Sequence, residues 1–452
     1  MVESQIIITN NYIFMKKTLF LLAAVALSFV ACSKDDSGSS NTDSVKELTA
    51  EVNVRFTSDV LAYGQPNSLS VAVNSDEVID KCSAIAVKKE GETYTEVGEV
   101  QTLELSEAKA SVDQVFHAEY FADSKDMTDI AVTVNSGKLA KTVYFPVKVE
   151  GELPGTVWID EKAFFTASPK VATHENNPDL YPNANTGAGC DEPSFFSMHG
   201  MNINGEVKHI VSLSEARPLD GKDLSFVLCN VLENTSKAPN AIAYIGSQRG
   251  FVFCDIATTT AGTIGRQCDA YNVEGHDIKK AAELANFKFC LVRGSWKVGH
   301  FDENDAAAYD AVSRLNNQIK SANTNLEKMK AFWALGEIQR TMDTATLPNE
   351  LPEGVDPTSL KVTNMLRQFI DLGPTAKNAP NEQWRAGDFI ILRSKRGEQY
   401  YYGIMQIRQI PDITACLNAD TGRADNIEGL NKLFGQKLYV SIKCQCEVPA
   451  VK

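Results

Sequence analysis

Between residues 51 and 149 apolar and polar side chains alternate with period two. Segments 51–56, 68–73, 83–88, 130–134 and 139–149 each send every second side chain to one face. That pattern predicts half-buried β-strands. Turn residues separate them: Gly64 ahead of Pro66, Gly91 after Glu90, and Gly137 after Asn135 and Ser136. Further strand-like runs cover 156–165, 207–213, 224–231, 241–245, 250–256 and 287–292. From 168 to 200 no period is visible, only Pro, Asn, Gly and scattered polar residues, which predicts a long loop of the kind that is functional or disordered; a surface loop whose cysteine is disulfide-bonded is the competing reading.

The period changes between 304 and 342. Ala308, Val312, Leu315, Ile319, Ala322, Leu326, Met329 and Trp333 keep a three-four spacing, so they line one face of a helix that packs on the protein's own sheet. A coiled-coil partner is the other use of such a seam. Ser321-Ala322-Asn323-Thr324-Asn325 is poor helix material, and Thr324 with Glu327 has the spacing of a capping box. A helical hairpin and a single rod both remain open. Residues 359–372 predict another short helix. Residues 389–397 and 398–410 predict a β-hairpin turning at Gly397, and 438–446 a last strand.

About seven short strands in about a hundred residues fit an immunoglobulin-like sandwich, although Cys82 lacks the second cysteine of antibody domains. The expected fold class is mainly β with an α+β C-terminal part. An Ig-like β-sandwich covers 47–150, and a larger mixed β/α domain with the helical segment 304–342 covers 151–452. Gly151-Glu152-Leu153-Pro154-Gly155 marks the boundary.

Ahead of the strands, Lys16 and Lys17 precede an apolar run from Thr18 to Val30. At about a dozen residues it suits a signal-peptide core and falls short of the ~20 needed to span a bilayer. The run ends in Phe29-Val30-Ala31-Cys32, followed by Ser33-Lys34-Asp35-Asp36. The first four residues resemble a bacterial lipobox, with Phe29 in place of the usual aliphatic residue. The resemblance implies a signal peptide over 1–31, cleavage before Cys32, and lipidation of its thiol and new amino group, including palmitate. Lys34, Asp35 and Asp36 resemble the lipoprotein export signal of Bacteroidota, which implies an outer-membrane lipoprotein facing the cell exterior. Residues 32–46 are then a lipidated cysteine with a flexible tether, and translation is expected to start at Met15. Asp43-Ser44-Val45 and Asp343-Thr344-Ala345 resemble the O-glycosylation signal of exported proteins in the same phylum. The hairpin 389–410 resembles one common near the C-terminus of such lipoproteins; no activity goes with it.

The net charge of -14 becomes about -15 once Glu3, Lys16 and Lys17 leave with the signal peptide. An acidic chain of pI about 5.0 argues against nucleic acid as a partner. Ten cysteines include Cys32. Of the rest, Cys229, Cys254 and Cys290 lie in apolar runs and read as small buried hydrophobes. Cys190, Cys268 and Cys416 suit disulfides better in an oxidising compartment. Cys444 and Cys446 share one strand face, too close to bridge each other comfortably.

The chain carries no nucleophile elbow, phosphate loop or zinc helix. Two constellations are candidates for ligand binding. His174, Cys190 and His199 gather with carboxylates in the 168–200 loop and could make a Cys-His nucleophile pair or ligate zinc, though the spacings match no metal pattern. Trp384, Tyr400 and Tyr402 could offer flat rings to sugar faces; cross-strand packing is the competing use of the same rings. No metal or cofactor is expected, and membrane lipid, through the anchor, is the expected partner. The sequence therefore favours a surface-anchored binding or structural module for a ligand, glycan or host macromolecule over an enzyme. The alternatives are a surface hydrolase using the 168–200 loop, and a fimbrial or adhesin subunit matured from a lipoprotein precursor by cleavage after Arg55.

Overall fold

In the computed structural model, the described residues are 48–105, 113–165, 193–212, 215, 223–230, 250–255, 287–292, 303–343, 360, 362–363, 365–369, 384, 386–410 and 437–447. Residues 1–31, the expected signal peptide, and Cys32, Lys34, Asp35, Asp36, His174 and Cys190 lie outside them, as do Cys229, Cys254, Cys268 and Cys416 beyond their backbone or altogether.

Ten strands build the first half. They are β1 (Ala50–Phe56), β2 (Val60–Ala62), β3 (Pro66–Ser75), β4 (Lys81–Glu90), β5 (Thr93–Glu96), β6 (Gln101–Leu105), β7 (Asp113–Phe121), β8 (Asp129–Ser136), β9 (Leu139–Pro146) and β10 (Lys148–Glu150). The pairing runs β1-β3-β7-β6 and continues through β6 onto β4, β8 and β9, with β5 also on β4. The two groups of strands have the order of an immunoglobulin-like sandwich, and β2 closes on β10 in parallel, Leu61 opposite Val149. Alternation explains the core. Leu69, Val71 and Val73 of β3 face Cys82, Ala84 and Ala86 of β4 and Ile130, Val132 and Val134 of β8, all buried. Gly91 and Gly137 take positive φ in the hairpin turns, as their sequence contexts predict. Arg55 pairs with Ser70 inside β1.

Strands β6 and β7 lie outside the alternating segments that the sequence marks. β6 and β7 each place a glutamine on the inner face, which breaks the apolar alternation. The chain satisfies both amides on backbone. Gln101 Nε2 donates to Phe121 O at 2.7 Å and its Oε1 accepts from Phe121 N–H at 3.0 Å. Gln114 does the same with Ile79, at 2.9 and 2.6 Å. A buried amide paired on both sides costs little, so the strand survives it.

The second half is two sheets and a helical layer. The six-stranded sheet has β11 (Gly155–Phe165), β21 (Lys437–Cys446), β20 (Gln399–Gln409), β19 (Phe389–Arg396), β16 (Lys288–Val292) and β17 (Val362–Thr363), in that order. The five-stranded sheet has β13 (Glu206–Ser212), β12 (Pro193–Ile203), β14 (Phe226–Asn230), β15 (Gly250–Asp255) and β18 (Met365–Phe369). Between them lies an aromatic core: Phe196, Phe226, Phe253, Phe289 and Trp384 with Ile390, Leu392, Met405 and Val440. The outer face of the six-stranded sheet is covered by α1 (Glu303–Ser321) and α2 (Asn325–Asp343), through Val312, Ile319, Phe332, Leu335 and Ile338 against Phe389, Ile391, Tyr402 and Ile404. The first half of β19 therefore buries both faces, which is why residues 389–392 read as an unbroken apolar run before the strand turns polar at Arg393.

Three expectations meet this architecture differently. The helical segment is a hairpin. Thr324 Oγ1 accepts Glu327 N–H at 3.2 Å, while the Glu327 carboxylate accepts Thr324 N–H at 3.3 Å and Asn323 N–H at 2.8 Å. The helix expected over 359–372 is instead β17 and β18, one strand for each sheet, pairing with β16 and β15. The expected 168–200 loop ends in β12, whose residues Ser194–His199 are buried on both faces and so show no alternation. Residues 48–452 form one compact unit. Phe121 of the sandwich packs on Leu326 and Met329 of α2, with Tyr63, Leu153 and Trp333 around them, and so ties the halves together.

Candidate functional site

Three elements converge beside that junction and leave a cleft of about 230 Å³. The sandwich contributes Tyr63, Gly64 and Gln65 from the turn between β2 and β3, and Glu152 to Pro154 from the connection after β10. Helix α2 contributes Asn325, Lys328, Met329, Phe332 and Trp333. The β19–β20 hairpin and β21 supply Gln399, Tyr400, Tyr402 and Gln445. The local chemistry follows from alternation. In β20, Tyr400 and Tyr402 point to the helix side while Tyr401 goes into the sheet-to-sheet core. The Tyr400 and Tyr402 rings lie near-parallel, 6.4 Å between centroids at 23°.

Backbone positions hold these rings. Gly336 on α2 faces Tyr402, and a Cβ there would come within 2.7 Å of the ring. Glycine inside a helix costs ~1 kcal/mol relative to alanine, so the helix gives up stability for this close approach. Gly64, at φ 70°, lets its N–H reach Ala122 O at 3.1 Å. A Cβ at Gly64 would press on Leu153 at 3.0 Å. Gln445 Oε1 accepts the Tyr402 N–H at 3.0 Å, and Gln399 Nε2 donates to Tyr400 O at 3.0 Å.

Cations gather on the aromatic faces. The Arg340 guanidinium sits 4.1 Å from the centre of the Trp333 ring and is ion-paired to Glu337. Arg393 and Lys395 lie 5.0 and 5.4 Å from the Tyr400 ring. Lys328 reaches over Trp158, an exposed ring of β11, at 5.5 Å. On the sandwich side Glu152 pairs with Lys125. Burial raises the Tyr402 hydroxyl above its ordinary value, with Arg340 and Arg393 acting in the opposite direction. Both sides of the cleft are aromatic bodies with amide or charged tips, so it can stack a flat apolar ring face and hydrogen-bond its rim.

The sequence candidates separate on this frame. Tyr400 and Tyr402 line the cleft together. Trp384 does not join them: it is fully buried between the sheets, 4.9 Å from the Phe253 ring, and has no face left for a sugar. His199 is elsewhere again, buried edge-on against Tyr401 at 4.6 Å. Its Nδ1 accepts the Glu447 N–H at 2.9 Å, so the proton sits on Nε2 and is donated to Ser394 Oγ at 3.0 Å. A serine activated for nucleophilic attack needs the lone pair on that nitrogen, not the proton. His199 is therefore a satisfied core imidazole, and burial lowers its pKa to about 3.

Among the described residues, no group of three or more His, Cys, Asp or Glu could hold a metal ion. Cys82, Cys444 and Cys446 are free thiols, and burial pushes Cys82 up to about 12, far from a reactive thiolate. Also among the described residues, no helix is long and apolar enough to cross a membrane. Sequence reasoning missed Tyr63, Lys328 and Trp333 as neighbours of Tyr400. They come from positions some 70 to 340 residues away along the chain, and only their residue types were visible.

No protein-family model matches the chain, and no curated protein matches it. Among solved structures it is similar to the crystal structure of Spo0M, a sporulation control protein from Bacillus subtilis. That likeness has 12% identity over 45% of this chain and 78% of the other. Its TM-score of 0.14 carries no argument about fold or activity.

Proposed function

We propose that this chain is an outer-membrane lipoprotein, anchored through Cys32 and facing outward, that binds a glycan in the cleft between its two halves. The lipobox-like Phe29 to Cys32 and the acidic Lys34-Asp35-Asp36 that follow support the address. The observation that carries the binding reading is the cleft itself. Tyr63, Trp333, Tyr400 and Tyr402 line it together with the amides Gln65, Gln399, Gln445 and Asn325. Aromatic faces with a few placed polar groups are what a sugar ring, apolar on its faces and hydroxylated at its rim, requires. At about 230 Å³ the cleft is smaller than the ~300–1,000 Å³ of drug-sized ligand pockets, which suits a chain molecule that enters with part of its length.

Titration of the full chain with oligosaccharides by calorimetry tests this. Tyr400→Ala removes one stacking face at a partly exposed position and should weaken binding on the order of tenfold, as loss of an aromatic contact worth ~0.5–1.5 kcal/mol beyond area burial implies. Unchanged affinity in a folded Tyr400→Ala protein would move the site elsewhere.

A further inference from the structure

Resting on the glycan reading above, we infer that the cleft selects oligosaccharides that carry negatively charged groups, carboxylates or sulfates, over neutral ones. The reason is Lys328, the cation that lines the cleft on the side away from the acids Asp123, Asp126 and Glu152 around Tyr63. Two charged side chains line the cleft, Lys328 and Glu152. Glu152 is occupied by Lys125. Lys328 has no carboxylate partner among the described residues; its ammonium lies over the Trp158 ring instead. The neighbouring acid, Glu327, spends its carboxylate on the Asn323 and Thr324 backbone N–H groups of the helix cap. Arg393 and Lys395 lie over Tyr400 at 5.0 and 5.4 Å, but Lys395 is itself paired with Glu398 at 3.5 Å, so Lys328 is the cation on which the selection rests.

A cation held on an aromatic face at the mouth of a cleft is a recognition element in waiting. Bringing a carboxylate or sulfate to it makes a charge-assisted hydrogen bond, about twice as strong as a neutral one. The setting sharpens the point. The chain carries a net charge of -14, so its general field repels anions, and an anionic ligand would gain only where local cations outweigh that field.

The experiment uses the full chain on a panel of defined oligosaccharides. Tetra- to hexasaccharides of oligogalacturonate, alginate and chondroitin sulfate are set against cello-, manno- and galacto-oligosaccharides of the same length. The expected result is tighter binding of one or more anionic oligosaccharides, weakening as NaCl rises from 50 to 500 mM. Lys328→Gln should lose about tenfold for that ligand while Lys328→Arg retains binding, both with unchanged melting temperature. Neutral oligosaccharides binding as tightly as their anionic counterparts would overturn the charge selection and leave the glycan reading standing. Anionic binding unaffected by both Lys328→Gln and Tyr400→Ala would place the ligand outside the cleft and overturn the inference. No binding by any member of the panel would overturn both readings.

Discussion

His199 shows how one residue's surroundings decide its role. An imidazole near the surface titrates close to pH 6.5, but here burial between the sheets, with Arg396 and His209 nearby, holds the pKa at about 3. Between those two values the unfolded chain binds a proton at this position and the folded chain does not. Stability therefore is fully present above about pH 6.5 and falls as the pH drops toward 3. His209 is also lowered, by burial, against a hydrogen bond to Ser197 O that acts the other way, so it adds to the same slope. Urea midpoints measured from pH 7 to pH 5, a range in which ordinary carboxylates scarcely titrate, should decline for the wild type. The slope should be shallower in His199→Gln. Equal slopes would mean that His199 titrates alike in the folded and unfolded chain, so that burial does not lower its pKa. The histidine was visible in the sequence as a possible base. Its Glu447 and Ser394 partners, 248 and 195 residues away, were not.

At the scale of elements, local signals were legible where they were strong and self-contained. The Thr324–Glu327 cap lies within four residues and forms as its spacing implies, so two helices meet where one rod was possible. Thr324→Ala removes the side-chain acceptor for Glu327 N–H and should cost about 1 kcal/mol, read as a lowered urea midpoint with unchanged m-value. A loss within error would make the cap incidental to the turn between α1 and α2. The β19–β20 hairpin, with Gly397 at φ 55° in its turn, is another such local unit. Elements defined by distant partners were not legible. Val362, Met365, Leu366 and Phe369 have helical spacing, yet β17 and β18 find open edges in two different sheets, and the ladder bonds outweigh the weak local preference. β12 hid for the opposite reason: buried on both sides, it has no polar face to betray its period.

The whole molecule joins two cores through a small cluster of Phe121, Leu326 and Met329, and the cleft opens beside it. The proposed surface address decides which ligands could reach that cleft. If the chain faces outward, protease added to intact cells should digest the wild type. The variant with Lys34, Asp35 and Asp36 all changed to alanine should be protected. Protection of both would place the ligand inside the envelope and remove host or environmental glycans from consideration. By itself the sequence determined the mainly β class, most strands and their inward faces, the turn glycines and the helical cap, because period and local geometry act over a few residues. Tertiary structure alone decided which face meets which. Alternation puts Tyr400 and Tyr402 on one side of β20 and leaves Trp384 free to be anywhere. Only the packing of sandwich, α2 and hairpin sets Tyr63, Trp333 and Lys328 around the first pair and encloses Trp384 between the sheets. Burial is a property of the partners across the gap, and those partners lie far away in the chain.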